Sequence, residues 1–532
     1  MVPDRQLPRR PRIPAKEPNV KVKRALISVF DKTDLESFAK GLTDLGVQLI
    51  STGGTARLLK DSGIPVTLVE EVTGFPEMLD GRVKTMHPRL MGGILARRDV
   101  PEHMDTIAEH EIEPIDMVVC NLYPFEEMAG RRGMTDDVII ENIDIGGPTL
   151  IRAAAKNHAG VAVVTDHADY EALLAELRAS GGGLSHETLR RLAAKAFQRT
   201  ARYDFAIANW FSEAEGDFPR HMLRGYEKVM DLKYGENPHQ RAAYYAEVGL
   251  RQHLLSQVEQ LHGRQLGFNN LYDLHAARAL CDEFSLPCVT IVKHNNPCGC
   301  ALAQNLATAY DKALACDPVS TFGSVIAVNR TVDVPTAERL SELFVEVLIA
   351  PGYEPAALEI LTGKPDIRIL ENRERRQANP GEFDSKRVLG GILIQDEDND
   401  PEERDDMTAV TKRHPTEKEW GDLLFSLRVA KHVKSNAIVI ARDLATLGVG
   451  AGQMSRVDSM RVAAEKARVE LAGAVVGSDG FFPFPDALEL AVEAGVTAFI
   501  QPGGSKGDAD AIETCDKAGA AMVFTGRRHF LH

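Results

Sequence analysis

Hydrophobic positions along this chain fall into short apolar runs separated by stretches with helical spacing. The run at 25–29 predicts a strand, and after it Leu35, Phe38, Leu42 and Leu45 recur at helical intervals and predict a helix over 35–45. Thr33 and Glu36 have capping-box spacing at its start, and Gly46 closes its end. A second strand at 47–51 runs into Thr52, Gly53, Gly54 and Thr55, then into a helix that Gly63 ends. Strands at 117–121 and 161–165 bracket further helices, so a parallel sheet covered by helices, α/β in class, is the economical architecture for a first domain.

Helical stretches at 170–178 and 187–211 lead into the polar segment 212–220, which places a domain boundary near 215/216. The remainder, 216–532, alternates too. A strand is expected at 289–292, a helix at 302–315 and a strand at 437–441. Strand, helix, strand, helix and strand then follow at 471–476, 487–494, 496–500, 510–518 and 521–524. Between the two alternating blocks, 395–406 is acidic and contains proline, which fits a solvated connector.

The length of 532 residues exceeds what one core usually supports, in keeping with two or more domains. No apolar run is long enough to cross a bilayer. Residues 1–20 are basic and proline-rich without the apolar stretch of a secretory signal, and read as a disordered tail. Seven cysteines, an odd number without a secretory signal, point to free thiols in a reducing compartment, the cytoplasm. A net charge of −15 argues against a broad nucleic-acid surface and leaves room only for a local cationic pocket.

Candidates for such a pocket lie in the first domain. The turn Thr52 to Thr55 sets two glycines and two hydroxyls at a helix start, where free N–H groups and the helix dipole favour phosphate; its plainer reading is a tight turn. Arg82 and Lys84, in GRVKT, can clamp a phosphorylated substrate or simply face solvent. IDIGG at 143–147 suits a helix start, with Arg152 and Lys156 on one face beyond it. Asp144 and Lys156 are expected to face one site from the two ends of that helix, the alternatives being a cap and a surface charge.

SVFDK (28–32), STGGT (51–55), TGFPEMLDGRVKT (73–85), CNLYPF (120–125) and IDIGGPTLIRAAAKNH (143–158) occur in this order. They resemble the inosine monophosphate (IMP) cyclohydrolase domain of the bifunctional purine-synthesis enzymes, whose fold is similar to methylglyoxal synthase. The resemblance implies that Phe30, Asp31, Lys32, Thr52, Gly53, Gly54 and Thr55 hold the nucleotide. It also implies that Arg82, Lys84, Thr85, Cys120, Asn121, Tyr123, Asp144, Ile145 and Lys156 line the ring-closing site. There an amide nitrogen attacks a neighbouring formyl carbon and water leaves, which calls for positioning, oxyanion donors and a proton shuttle. Lys156, Lys84, Tyr123 and Asp144 have the chemistry, Lys156 first among them. Met91 stands where that family usually carries histidine.

In the second region TIVKHNNPCGC (290–300) sets Lys293 and His294 where a strand gives way to a loop and then a helix. Strand ends expose catalytic groups, and neutral histidine can take a proton near neutrality. His294, Cys298 and Cys300 invite comparison with zinc deaminases, but Asn296 stands where those enzymes place glutamate and the cysteines are one residue apart, so no metal is expected. KYGENPHQ (233–240), GFNNLYD (267–273), VKHNNPCG (292–299), KSNAIV (434–439), GAGQMSRVDS (450–459), SDGFFPFPD (478–486), QPGGS (501–505) and TGRRHF (525–530) also occur in order.

This set is similar to the aminoimidazole carboxamide ribonucleotide (AICAR) formyltransferase domain of the same family, a region of two cytidine-deaminase-like subdomains without the metal. By resemblance His294 is the general base and Lys293 stabilises the transition state. Lys233, Tyr234, Asn270, Asn436, Arg456, Arg528 and Phe530 hold the nucleotide, with Lys233 where the family commonly has arginine. Phe481, Phe484, Asp486, Ser505 and Lys506 hold the co-substrate 10-formyltetrahydrofolate. The same resemblance implies a homodimer that shares its folate site between subunits, small-molecule substrates, and neither nucleic acid nor membrane as partner. A nucleotide-sensing regulatory module and a zinc hydrolase are the competing classes.

Overall fold

Parallel strands buried on both faces need continuous apolar runs, and those of the first half supply them. In the computed structural model, which describes residues 20–129, 131, 133–212, 218–248, 258–373, 383–399 and 401–532, five such runs form one sheet. They are β1 (Arg24–Ser28), β2 (Gln48–Ser51), β3 (Thr67–Leu68), β4 (Met117–Cys120) and β5 (Ala162–Val164). The order is β3-β2-β1-β4-β5 and every pair is parallel. The helices used below are α1 (Leu35–Asp44), α2 (Gly53–Asp61), α3 (Pro88–Leu95), α4 (Gly146–Lys156), α5 (Tyr170–Ala179) and α6 (His186–Ser212). Leu26, Ile27, Phe38, Val118, Ile151 and Leu177 lie in the core between sheet and helices. From β1 the chain winds outward to β3 and then returns to β4 on the other side, so the order in which strands are added reverses between β1 and β4. A crevice opens there beyond the carboxyl ends of the strands.

The start of α1 differs from the expected capping box. Asp34 occupies the N-cap with φ 55° and makes no side-chain cap, while Thr33 gives its N–H and hydroxyl to Asp31 Oδ1 at 2.9 and 2.7 Å. A local Asx turn outcompetes the longer-range box. The expected 1–20 tail lies outside the described residues except Val20, which pairs with Leu184. The expected boundary at 215/216 also lies outside them. The chain divides into two compact units after Gly225.

In the second unit a twelve-stranded sheet is built from a repeated half. The first half contributes β6 (Glu259–His262), β7 (Cys288–Lys293), β8 (Asn296–Leu302), β9 (Ser324–Val328), β10 (Val345–Ala350) and β11 (Arg368–Glu371). The second contributes β12 (Thr408–Ala409), β13 (Ile438–Arg442), β14 (Ala445–Gly450), β15 (Val475–Ser478), β16 (Ala498–Gln501) and β17 (Ala521–Phe524). Their order is β6-β11-β10-β9-β7-β8-β14-β13-β15-β16-β17-β12, the same succession read from either end. Helices α7 (Phe268–Asp282) and α9 (Glu417–Lys431) correspond, as do α8 (Leu306–Cys316) and α10 (Arg456–Lys466).

The correspondence extends to single atoms. Gly299 packs against the Ala313 carbonyl and Gly448 against the Ala463 carbonyl, each leaving no room for a Cβ. The halves join where β8 meets β14: Ala301 pairs with Ala445, Cys300 N–H donates to Thr446 Oγ1 (2.9 Å), and that hydroxyl donates to the Cys300 carbonyl (3.2 Å).

Two expectations change here. The CGC segment is a strand of a tight hairpin, not a loop, and the helix expected from 302 starts at Leu306, capped by Asn305, whose side chain accepts from Thr308 N–H at 2.8 Å. The stretch 395–406 is not simply a solvated connector: Gln395 and Asp396 close a hairpin strand (Gly391–Asp396), and Glu402 is buried.

Two candidate active sites

Three chain segments leave the carboxyl edge of the first sheet side by side, after β1, β2 and β4. Asn121 binds the first to the third: its Oδ1 accepts from the N–H groups of Phe30 (2.6 Å) and Asp31 (3.1 Å), and its Nδ2 donates to the Asp31 carbonyl (2.9 Å). This sets the Phe30 and Tyr123 rings 5.0 Å apart at the mouth of the crevice, both exposed. Lys32 Nζ donates to the Phe30 carbonyl at 3.3 Å. After β2, Thr52 stands at the N-cap position of α2 without a side-chain cap bond, followed by Gly53 at φ 53°; a Cβ there would stand 2.8 Å from Lys84 Nζ, so glycine serves both the turn and the approach of the ammonium. Gly54 begins the helix beside open space, and Thr55 Oγ1 donates to the Val29 carbonyl at 3.0 Å. The Thr52 hydroxyl is buried without a hydrogen-bond partner in the protein. A buried orphan hydroxyl costs stability unless something outside the protein, a water or a ligand, satisfies it.

Lys84 is also paired with Glu77 (2.7 Å), and Arg82 with Glu141. Asp144 caps α4, accepting from Gly147 N–H at 2.8 Å, while its own N–H donates to Tyr203 Oη at 2.7 Å. A Cβ on Gly147 would meet Asp144 Oδ2 at 2.5 Å, and one on Gly146 would meet Thr85 Oγ1 at 3.1 Å. Thr85, Asp144, Ile145 and Cys120 therefore crowd around this helix start, with Cys120 Sγ 3.9 Å from the Gly147 carbonyl. Burial raises the Asp144 carboxyl above its ordinary range; burial and then Asp144 raise the Tyr123 hydroxyl and the Cys120 thiol, so Cys120 is a wall and not a nucleophile. Burial pushes Tyr203 up to about 12. A cavity of about 160 Å³ beside Tyr123 is lined by Arg199, Arg202 and Tyr203 of α6.

Lys156 does not join this group. It ends α4, whose eleven residues run back across the sheet, roughly 16 Å at 1.5 Å per residue, so it is exposed at the opposite edge of the strands from Asp144. Within one chain Asp144 and Lys156, expected to face one site, therefore lie at opposite ends of α4. Met91 packs against the core.

In the second unit Lys293 ends β7, and His294 and Asn295 form the two-residue turn to β8, with φ 53° and 60°. Hairpin turns of this kind need left-handed residues, usually glycine. Asp273 of α7 holds them instead, accepting from the N–H groups of His294 (3.2 Å) and Asn295 (2.8 Å). Asp422 does the same for Asp443 and Leu444 at the corresponding turn, at 3.1 and 2.7 Å. Lys293 Nζ donates to the Phe322 carbonyl at 2.7 Å, and a cavity of about 200 Å³ beside Lys293 and His294 is lined by Asn296, Asp317, Val449 and Lys466 from both halves. Cys298 and Cys300 belong to cores on opposite faces of the sheet, so they form no metal set with His294.

The antiparallel pairing of β8, β14, β13 and β15 brings the His294 turn to the edge where β15, β16 and β17 end. On that edge Asn296 Oδ1 accepts from Lys434 N–H at 3.0 Å, and Arg456 joins Asn436 (3.0 Å), Ser478 (2.9 Å) and the fully buried Asp479 (2.5 Å). Arg528 stacks over Phe530, 4.7 Å from the ring centre, and Phe530 lies against Gly480. Phe481, Phe484 and Asp486 follow β15, while Ser505 and Lys506 follow β16; Gly507 packs against the Pro483 carbonyl, so the two loops touch. Phe484 is 66% exposed, an apolar ring left open at a strand-end crevice. Asn270 makes two bonds inside the protein: its Oδ1 accepts from Gly267 N–H (2.9 Å) and its Nδ2 donates to Glu346 (3.0 Å). Lys233 lies 5.6 Å over the Tyr234 ring. Tyr203, Asp273 and Asp479 were given no role by the sequence reading because each acts through a partner more than twenty residues away, whereas Glu77, seven residues from Lys84, lies inside the motif TGFPEMLDGRVKT.

Residues 154–466, more than half of the chain, match the family described as AICARFT/IMPCHase bienzyme, and residues 34–149 match the MGS-like domain. The chain belongs to the AICARFT/IMPCHase bienzyme family. This bienzyme chain is 50% identical over 511 residues to the bifunctional purine biosynthesis protein PurH of Thermoanaerobacter sp. (strain X514), covering 96% of this chain and all of that one. A crystal structure of ForH aligns to 36% of the chain and 97% of its own length at 37% identity, with a TM-score of 0.32. Like its family, the bienzyme pairs an AICAR formyltransferase with an IMP cyclohydrolase. Among its described residues no helix is long and apolar enough to cross a membrane.

Proposed function

We propose that the second unit transfers a formyl group from 10-formyltetrahydrofolate to the 5-amino group of AICAR, and that the first closes the formylated product to IMP with loss of water. The observation that supports this reading is that residues from several motifs of each set, scattered in sequence, lie along one strand-end edge: Lys32, Thr52, Lys84, Tyr123 and Asp144 in the first unit, and His294, Asn436, Arg456, Phe484 and Arg528 in the second. In the transfer, His294 takes the amine proton as the amine attacks the formyl carbon and Lys293 faces the oxyanion that forms; collapse of that adduct breaks the bond from the formyl carbon to the folate N10, which takes up a proton and leaves as tetrahydrofolate. Arg528, Phe530 and Asn436 hold the ribonucleotide. Arg456 supports them, since its guanidinium is already neutralised by Asp479. Phe481 and Phe484 offer flat apolar surface to the pterin, with Asp486, Ser505 and Lys506 around it.

For ring closure, the Thr52 hydroxyl and the amide groups at the start of α2 hold the phosphate. Lys84 and Tyr123 donate to the developing oxyanion, and Asp144, its proton affinity raised by burial, relays the proton that leaves with water. The reading includes a cytoplasmic homodimer whose folate site draws on both subunits. Purified full-length protein supplied with AICAR and 10-formyltetrahydrofolate should yield IMP by chromatography. His294→Ala and Lys293→Ala should stop formylation while still cyclising the formylated intermediate when it is supplied. Absence of both products with the unaltered protein would end the proposal.

A further inference from the structure

His529 sits between Arg528 and Phe530, yet its side chain turns away from them into the protein and is 2% exposed. Its backbone N–H donates to the Asp479 carbonyl at 2.9 Å. Nδ1 lies 2.7 Å from Asp398 Oδ2, and Nε2 lies 3.3 Å from Glu402 Oε1. Nδ1 hydrogen-bonds Asp398, whereas Nε2 and Glu402 Oε1 are buried at ion-pair distance without a hydrogen bond between them; a neutral imidazole has one N–H and offers Glu402 no charge, while an imidazolium bonds Asp398 and attracts Glu402. The carboxylates come from the acidic stretch that the sequence presents as a connector.

We propose that His529 is a positioning residue for formyl transfer, an imidazolium clamped between Asp398 and Glu402 that fixes how the chain terminus presents Arg528 and Phe530 to the ribonucleotide. This rests on the roles given above to Arg528 and Phe530. The surroundings are nearly balanced in charge: Lys431 and Arg428 of α9 face Glu402, and behind them Glu283 holds Lys431 (3.2 Å) and His432 (2.8 Å). Burial alone would push the imidazole down, but Asp398 and then Glu402 outweigh it and its proton is held above the ordinary value of about 6.5. Burial likewise raises Glu402, opposed by His529 and Lys431, while His529 keeps Asp398 low against its burial. A raised imidazole gives a clamp that is complete below the ordinary value and is released as pH rises through the folded one.

The test uses the full chain, with cyclisation of supplied intermediate as an internal control. In the unaltered protein the KM for AICAR should climb as pH rises beyond the ordinary imidazole value of about 6.5. His529→Gln should raise that KM about tenfold at about pH 6, below the ordinary imidazole value, the loss of roughly one charge-assisted contact, with kcat within about twofold and the pH step abolished. Asp398→Asn, at the more exposed end of the clamp, should move the step to lower pH, and Asp398→Glu should restore it. Those two variants also decide the matter if His529→Gln fails to fold. A His529→Gln protein with unchanged KM and an unchanged pH step overturns the assignment while leaving the transfer reading intact. Absence of formylation by the unaltered protein overturns both.

Discussion

The duplicated hairpin offers a controlled experiment. Asp273 and Asp422 make the same two bonds to the same two positions of corresponding turns, but only one turn carries His294. Each left-handed non-glycine residue costs about 1–2 kcal/mol, so roughly 2–4 kcal/mol is stored in either turn. Two N–H bonds to a carboxylate return about 1.5–3 kcal/mol each. Replacing the aspartate with alanine removes that compensation. A relaxed turn favoured by about 2 kcal/mol then leaves a few per cent of molecules with His294 in place, and the formyl-transfer rate falls roughly thirtyfold. Asp273→Ala and Asp422→Ala should therefore lower Tm by similar amounts, whereas only Asp273→Ala should lose transfer activity, measured as initial rates at saturating AICAR. Equal losses from both variants, or a full rate with a lowered Tm in Asp273→Ala, would refute the argument that this carboxylate holds the base in place.

The other expectations concern the first unit. Thr52→Val keeps the shape of the side chain but deletes the orphan hydroxyl; KM for ring closure should rise about tenfold while Tm stays level or increases, because an unsatisfied buried group has gone. Asp144 has a folded-state pKa raised by burial, so its contribution to stability falls as pH climbs from the unfolded value of about 3.9 through the folded one. Asp144→Asn should thus gain Tm at pH 7, a gain that shrinks as pH is lowered into that window in thermal melts, and should cost about a hundredfold in cyclisation. Lys156→Ala should leave cyclisation within about threefold, since it lies at the far end of α4; a hundredfold loss would mean that a second copy brings this end to the site.

Periodicity made most elements readable. β1, β4, β17, α1, α2, α4, α5 and α6 fall close to their expected positions because apolar runs and helical spacing are strong there. β8 was not legible: Asn-Pro-Cys-Gly-Cys has weak strand propensity and no polar face, being packed against a core on each side, and only its pairing with β7 and β14 makes it a strand. The site residues were named by motif, but their company was not. Lys156 is twelve positions from Asp144 in sequence, and nothing local says that the intervening helix returns to the other side of the sheet. Nor does an isolated aspartate such as Asp273 announce a turn more than twenty residues away.

The two halves of the larger sheet touch along a short seam between β8 and β14, tied by Cys300 and Thr446. Lys293 and His294 lie on one bank of it, Asn436, Arg528 and Phe530 on the other. A ribonucleotide seated between them acts as a stitch, so amide protons flanking the seam should exchange with solvent more slowly when the substrate is present.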